Sequence, residues 1–271
     1  MQCVKPIRLL ASQDQYLTIS CGKCIACRIK RREEWTLRLS HELESWKEAC
    51  FLTLTYDDDS CPSQLQKRDL QLFMKRLRKF LCLKKIKYYG VGEYGDITNR
   101  PHYHIIIFGY NPPVTRYLQK TRYISDEVSK LWTYGIHTVD KVNQRTIRYV
   151  AKYIQKDNSS EIFRQEKFAL MSKGLGLQFF EKEKEKIIHN KGLTVQGKHV
   201  SLPRYYWNKL DIKDTYEEFQ FLKESLVRQK KVLDSYKLDS VEEIEERIME
   251  ARNQLKRRYE AKAGMSKKDT L

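Results

Sequence analysis

The fold is decided near the middle of the chain by Arg100-Pro101-His102-Tyr103-His104-Ile105-Ile106-Ile107-Phe108. The run is typical of a strand, and alternate residues of a strand point to the same face. His102 and His104 therefore share one face, while Tyr103 points to the other. Two imidazoles on one face can bind a single metal ion. The stretch predicts a sheet strand that carries part of a metal site.

A second motif, Tyr149-Val-Ala-Lys152-Tyr153-Ile-Gln-Lys156, repeats Tyr-x-x-Lys twice at a spacing of four residues. In a helix this spacing places two phenols and two ammonium groups on adjoining turns. Packing in the core is the ordinary role of helix aromatics at this spacing. Combined with a metal site, the paired tyrosines instead indicate cleavage of a phosphodiester.

The charge of the chain favours a polyanionic partner. The 271 residues include 52 Lys and Arg against 35 Asp and Glu, for a formal net charge of +17. Basic and acidic residues are equal in number from residue 214 onward, so the whole excess lies within residues 1–213. We expect that part of the chain to contact nucleic acid phosphates. No apolar run approaches the roughly 20 residues of a membrane span, and no secretory signal opens the chain, so an intracellular protein is expected.

The seven cysteines do not suggest a disulfide framework, because their number is odd and no export signal is present. Cys21, Cys24 and Cys27 are spaced by two residues each, and Cys3 lies upstream as a fourth candidate. Four thiolates are the ligand set of a tetrahedral zinc site. Three alternatives remain open: participation of Cys50, an iron–sulfur cluster, and free cysteines near the start of a helix.

Hydrophobic periodicity predicts an ordered series of elements in the central part of the chain. They are a strand at 49–56, a helix at 69–81, strands at 86–93 and 102–108, a helix at 125–132 and a strand at 136–142. This order is that of a ferredoxin-like unit on an antiparallel sheet, so an α+β fold is expected. The Tyr-x-x-Lys helix is predicted to pack beside that sheet, with its phenols near the histidines.

Further elements are predicted on both sides of this unit. An amphipathic helix is expected at 28–47 and a hairpin at 192–202. The cluster Pro203-Arg204-Tyr205-Tyr206-Trp207 either stacks on bases or covers the core. From residue 214 two helices are expected, and their apolar stripe requires a partner, either the neighbouring helix or another subunit.

The motifs together resemble those of a known family. Phe51-Leu-Thr-Leu-Thr-Tyr56, His102-Tyr-His104 and the Tyr-x-x-Lys repeat resemble, in order, the three motifs of HUH endonucleases of the rolling-circle initiator type. The resemblance extends over Cys21-Gly-Lys-Cys24, Gly92-Glu-Tyr-Gly95 and Leu202-Pro-Arg-Tyr-Tyr206, and covers about residues 1–210. Within that type, the chain is most similar to the replication initiators of the Microviridae, particularly the gokushovirus branch that includes chlamydial phages.

The resemblance implies a specific site. His102, His104 and an acidic residue, which we assign to Glu93, would hold Mg²⁺ or Mn²⁺. Pairing with Arg100 is the alternative role for Glu93. Tyr149 and Tyr153 would be the nucleophiles, one of them forming a 5′-phosphotyrosyl intermediate, with Lys152 and Lys156 beside the phosphate or the phenols. Basic residues expected to contact DNA are Arg100, Arg148 and Arg204.

The expected protein is a phage replication initiator that nicks and rejoins origin DNA in the host cytoplasm. The expected division is a Cys-rich segment and helix at 1–48, an HUH nuclease domain at 49–212 and a helical region at 213–271. The sequence has no Walker-type motif, so a host helicase and a host polymerase are the expected partners, and the C-terminal helices are candidates for oligomer formation. The alternatives are a noncatalytic, zinc-stabilised nucleic-acid-binding protein and an HUH transposase or relaxase.

Overall fold

The structure, a computed structural model, describes residues 3–12, 15–95, 98–119, 122–153, 167–190, 192–195, 197–200 and 202–210, together with Gln254 and Arg257. Lys156 and the predicted pair of C-terminal helices lie outside these ranges. Two compact units are present: residues 32–184, and the described parts of residues 1–31 and 185–271.

The elements are numbered in chain order. The helices are α1 (Ile25–Glu44), α2 (Lys67–Phe80), α3 (Asp126–Leu131), α4 (Gln144–Lys152), α5 (Leu177–His189) and α6 (Arg204–Trp207). The strands are β1 (Ile7–Ser12), β2 (Gln15–Ile19), β3 (Ala49–Tyr56), β4 (Lys87–Tyr94), β5 (Pro101–Phe108), β6 (Arg116–Gln119), β7 (Arg122–Ile124), β8 (Gly135–Lys141), β9 (Phe168–Met171), β10 (Leu193–Val195) and β11 (Lys198–Val200). The six elements predicted for the central unit are all present, with bounds shifted by one or two residues.

The unit of residues 32–184 is built on a seven-stranded sheet in the order β6-β7-β8-β3-β5-β4-β9. Every neighbouring pair is antiparallel. The middle of this order, β8-β3-β5-β4, is the arrangement expected for a ferredoxin-like unit, so the predicted α+β fold is confirmed. The β6–β7 hairpin and strand β9 extend the sheet at its two edges and were not predicted.

One face of this sheet packs on α2 and α3. Because α2 has apolar residues at helical spacing, it buries Leu70, Phe73, Met74 and Leu77 while its Lys and Arg side chains face outward. Trp132, directly after α3, is almost completely buried in the same cluster. This face is the main hydrophobic core of the unit.

The opposite face packs on α1 and α4. Leu39 of α1 and Ile147 and Val150 of α4 are completely buried there, together with Phe108 and Ile106 of β5. Asn143 begins α4 with a capping box: its Oδ1 atom accepts hydrogen bonds from the backbone N–H groups of residues 145 and 146, and the residue-146 hydroxyl accepts one in return. This cap fixes where α4 starts and therefore which of its residues face the sheet.

The described parts of residues 1–31 and 185–271 contain two small antiparallel hairpins, β1–β2 and β10–β11. The second one confirms the hairpin predicted at 192–202. Tyr206 is completely buried, which favours core packing over base stacking for that ring, whereas Arg204 is exposed. Among the described residues, no helix combines the length and the apolar character that crossing a membrane requires.

Candidate active site

Three adjacent strands bring the candidate metal ligands together. In the pairing of β4 with β5, Glu93 lies opposite His102. In the pairing of β3 with β5, Thr53 lies opposite His104. Because residues two apart on a strand share a face, the side chains of Glu93, His102 and His104 meet on the face that packs on α1 and α4.

These three side chains form a compact cluster, which we call the metal triad. The Nε2 atoms of His102 and His104 each lie 3.0 Å from Oε1 of Glu93. The three ligand atoms lie within 4.8 Å of one another, so a single ion can contact all of them. Glu93 and His104 are buried, at 2% and 5% exposure, while His102 is partly exposed. Two imidazoles and one carboxylate fit a divalent ion that keeps open positions for substrate oxygens.

The charge state of Glu93 suits metal binding. Burial by itself would raise the pKa of this carboxyl group, but hydrogen bonds to His102 and His104 outweigh it and lower the pKa to about 2. Glu93 is therefore a carboxylate throughout the physiological pH range.

Hydrogen bonds at the far side of each ring orient the two imidazoles. Nδ1 of His102 lies 3.1 Å from the carbonyl oxygen of Arg100, and since a carbonyl only accepts, Nδ1 carries the proton and Nε2 is left as the ligand atom. Nδ1 of His104 lies 3.1 Å from Oγ1 of Thr53, which can play the same role. The ring of Phe51 lies nearly parallel to that of His104, with centroids 5.6 Å apart.

Thr53 and Phe51 were not predicted as site residues. Both belong to the stretch Phe51–Tyr56, which was recognised only as a motif and as a buried strand. The available signal was alternation: residues 51, 53 and 55 share one face of β3, and that face is the one that meets the histidines.

Helix α4 places both tyrosines beside the histidines, as predicted. The hydroxyl oxygen of Tyr149 lies 3.2 Å from Nε2 of His104, the ligand atom itself, and Tyr149 is partly buried. Tyr153 is 9% exposed, and its ring lies at 19° to that of His104 with centroids 5.7 Å apart. The two tyrosines thus approach His104 differently, one through its hydroxyl group and the other through its ring.

The basic candidates are arranged less uniformly. The described helix ends at Lys152, with Tyr153 as its C-cap, so the structure places one of the two predicted lysines one turn from Tyr149. Arg148 is exposed on α4. Arg100 is hydrogen-bonded to Asp58 and not to Glu93, whose carboxylate contacts the histidines instead. Arg204 begins α6 in the other unit.

The four predicted cysteines also come together, in the unit of residues 1–31. The Sγ atom of Cys3 lies 3.5 Å from that of Cys21 and 3.8 Å from that of Cys24, and the Sγ atoms of Cys21 and Cys27 are 4.0 Å apart. Cys50 is not among them, because it is completely buried in the sheet core on β3. Although burial opposes it, hydrogen bonds from the backbone of Cys27 and Val4 lower the pKa of the Cys24 thiol to about 6.

Comparison with known proteins gives consistent results. A family model for replication-associated proteins of the ORF2 type matches residues 49–158, which include the metal triad and both tyrosines. The chain is 33% identical over 209 residues to the replication-associated protein ORF4 of Chlamydia phage 1, covering 69% of this chain and 52% of that protein. It thus spans about half the length of that relative. No solved structure matches.

Two further relatives are matched over more of their length. The chain is 29% identical over 255 residues to the replication-associated protein VP4 of Bdellovibrio phage phiMH2K, covering 81% of each. It is 30% identical over 229 residues to the replication-associated protein ORF2 of Spiroplasma virus 4, covering 74% of this chain and 70% of that protein. The chain therefore belongs to the rolling-circle replication-associated proteins of the Microviridae.

Proposed function

We propose that this protein nicks single-stranded DNA at a replication origin through a tyrosine, holds the 5′ end covalently and later rejoins the ends. The observation that carries the proposal is the position of the Tyr149 hydroxyl oxygen, 3.2 Å from Nε2 of His104. A phenol oxygen within reach of a metal ligand atom is the arrangement that a metal-assisted attack on phosphorus requires.

Glu93, His102 and His104 would hold Mg²⁺ or Mn²⁺. The bound ion would polarise the scissile phosphate and stabilise the charge that develops on its oxygens. The chain contributes the orientation of the ligands: Arg100 fixes the ring of His102 through its carbonyl oxygen, and Thr53 fixes that of His104.

Tyr149 is the residue that we assign to the first attack. Its oxygen forms a bond to phosphorus while the bond from phosphorus to the 3′ oxygen breaks. The phenol proton leaves, and the departing oxygen takes up a proton to become a 3′-hydroxyl group. Because both steps only exchange one phosphate ester for another, the same residues can rejoin the strand in the reverse direction.

Tyr153 is assigned to the second cleavage. Its ring, which is nearly parallel to that of His104, must shift for its oxygen to replace that of Tyr149. The two tyrosine rings are 5.1 Å apart and nearly perpendicular, so they share one small space beside the metal triad. Two tyrosines at this distance allow one to cut the regenerated origin while the other still carries the strand. Lys152, one turn from Tyr149, would favour the phenolate form through its positive charge.

The net charge of +17 supports binding to the DNA backbone, with Arg100, Arg148 and Arg204 as the candidate phosphate contacts. In the infected bacterial cell, a host polymerase would extend the free 3′-hydroxyl group and a host helicase would separate the strands.

The test is formation of a covalent adduct. Purified protein is incubated with labelled single-stranded segments of its own genome, with and without Mn²⁺, and resolved on a denaturing gel. Adduct should form only with metal and disappear in a His102→Ala/His104→Ala variant, whereas the exposed His189→Ala control should retain it. Tyr149→Phe should abolish the first adduct, and Tyr153→Phe and the exposed control Tyr117→Phe should not.

Two outcomes would contradict the proposal. Tight but only noncovalent binding to every genomic segment would favour a nucleic-acid-binding protein without nuclease activity. Adduct formation by the Tyr149→Phe/Tyr153→Phe double variant would show that a different residue attacks.

A further inference from the structure

The cysteine cluster near the N-terminus has no part in the proposed cleavage, and its geometry is that of a metal site. With metal–sulfur bonds of about 2.3 Å, a regular tetrahedron places its four sulfur atoms about 3.8 Å apart. The recorded separations between sulfur atoms of Cys3, Cys21, Cys24 and Cys27 are 3.5, 3.8 and 4.0 Å, and all four atoms lie within 4.8 Å of one another. All four cysteines are free, so the sulfur atoms are close without being bonded in pairs.

The backbone supports the same geometry. Gly22 has a φ angle of +73°, which turns the chain between Cys21 and Cys24 and favours glycine at that position. Within this turn the backbone N–H of Cys24 donates to Sγ of Cys21 at 3.3 Å, and the N–H of Cys21 donates to Sγ of Cys3 at the same distance. N–H groups directed at sulfur stabilise the thiolate form, which is the form that binds a metal.

We propose that these four cysteines hold one structural zinc ion. Four soft thiolates in a tetrahedral arrangement select zinc among the common divalent ions. Among the described residues, the cluster contains no other His, Cys, Asp or Glu side chain, so the protein itself supplies four ligands and leaves no position for a substrate. The ion would be a structural element and not a second catalytic centre.

The location of the ligands shows what the ion would stabilise. Cys3 precedes strand β1 and Cys21 follows strand β2, and the hairpin ends pair Ile7 with Ile19. An isolated two-stranded hairpin is marginally stable in water, and Ile7 and Leu9 of this one are 45% and 47% exposed. The buried cluster at the start of α1 contains only Ala26 and Ile29 among the described residues, with partly buried side chains around them. Since this core is small, zinc would close the hairpin and join it to the first turn of α1.

The test is the metal content of the full-length protein produced with zinc in the medium. We expect about one zinc ion per chain, as four protein ligands require. Cys24→Ser should reduce the zinc content to background, whereas Cys82→Ser, at an exposed cysteine outside the cluster, should retain it. The His102→Ala/His104→Ala variant should also retain it, which separates this site from the metal triad and makes the result independent of nuclease activity.

A second measurement avoids reliance on variants that fail to fold. Wild-type protein loaded with Co²⁺ should show the thiolate-to-cobalt charge-transfer band and intense visible bands of a tetrahedral site. Removal of zinc by a chelator should raise amide hydrogen exchange in strands β1 and β2 and make four more thiols reactive. Iron with acid-labile sulfide in the purified protein, a disulfide between the cysteines, or equal zinc loss in Cys24→Ser and Cys82→Ser would overturn the proposal.

Discussion

The role assigned to Thr53 can be tested by replacing it with valine, which has nearly the same shape but no hydroxyl group. Oγ1 of Thr53 lies 3.1 Å from Nδ1 of His104, which is only 5% exposed, so water cannot readily take the place of the hydroxyl group. Without this partner, Nδ1 no longer favours the protonated form that leaves Nε2 as a metal ligand. The ring planes of Phe51 and Tyr153 still limit its tilt, but they do not select the tautomer.

The expected magnitude follows from the loss of one partly buried hydrogen bond. Such a bond contributes about 1–1.5 kcal/mol net. Every 1.4 kcal/mol corresponds to about a tenfold change in an equilibrium constant. We therefore expect Thr53→Val to weaken Mn²⁺ binding about tenfold, at the lower end of the 10- to 100-fold range typical of residues that orient metal ligands.

Isothermal titration of the full-length protein with Mn²⁺ measures this change directly. The adduct assay adds a second readout, because saturating Mn²⁺ should restore the rate of Thr53→Val if the substitution acts through metal affinity. Thr55→Val is the matched control: Thr55 lies two residues further along β3 and opposite His102, and in the described part of the chain its hydroxyl group has no hydrogen-bond partner. Equal Mn²⁺ affinity in Thr53→Val and Thr55→Val would refute the reasoning.

Three other substitutions test separate parts of the structure. Glu93→Gln removes the only carboxylate of the triad and should weaken Mn²⁺ binding more than Thr53→Val does, as measured by the same titration; equal effects would exclude Glu93 as a ligand. His41 is stacked on Phe179, and burial lowers its pKa from 6.5 to about 4, so the unfolded chain binds the proton more tightly and stability should fall as the pH drops from about 6.5 to about 4, by up to about 3 kcal/mol. In His41→Phe this part of the pH dependence should be missing from urea unfolding curves, and an unchanged slope would contradict it. Tyr103→Phe removes a hydroxyl group bonded to Tyr56 at 2.6 Å and to the Gln66 carbonyl oxygen at 2.8 Å, and should cost about 1–3 kcal/mol in the free energy of unfolding without changing adduct yield per folded molecule.

The central unit could be predicted because its elements carry strong local patterns. Helix α2 has a clear apolar stripe, and β3 and β5 are rich in β-branched and aromatic residues, so their type and order follow from periodicity. The order alone then limits the sheet to a few topologies, since helices of a split βαβ unit return the chain to the same sheet. The meeting of Glu93 with the histidines followed from resemblance and from the neighbouring positions of the two strands.

The elements that were not predicted are those whose stability depends on distant partners. Strand β9 has only four residues, and it forms because it pairs with β4, nearly eighty positions earlier in the chain. The hairpins β1–β2 and β6–β7 expose apolar side chains such as Leu9 and Tyr117, so neither shows the alternation of a half-buried strand. The contact of Thr53 with His104 is of the same kind, because it depends on the register between β3 and β5.

Strand β5 connects the stability of the fold to the geometry of the site, because its two faces have different partners. His102 and His104 face the metal triad, while Tyr103, between them, reaches through the other face to Tyr56 and to Gln66, the residue that precedes α2. Tyr56 in turn donates to Asp69 in the first turn of α2 at 2.6 Å. The hydrogen bonds of this second face hold β5 at a fixed height against α2, and the same peptide units carry the two imidazoles. Loss of the Tyr103 hydroxyl group should therefore be measurable first as lower stability, and only for larger changes at Tyr103, such as alanine, as weaker metal binding.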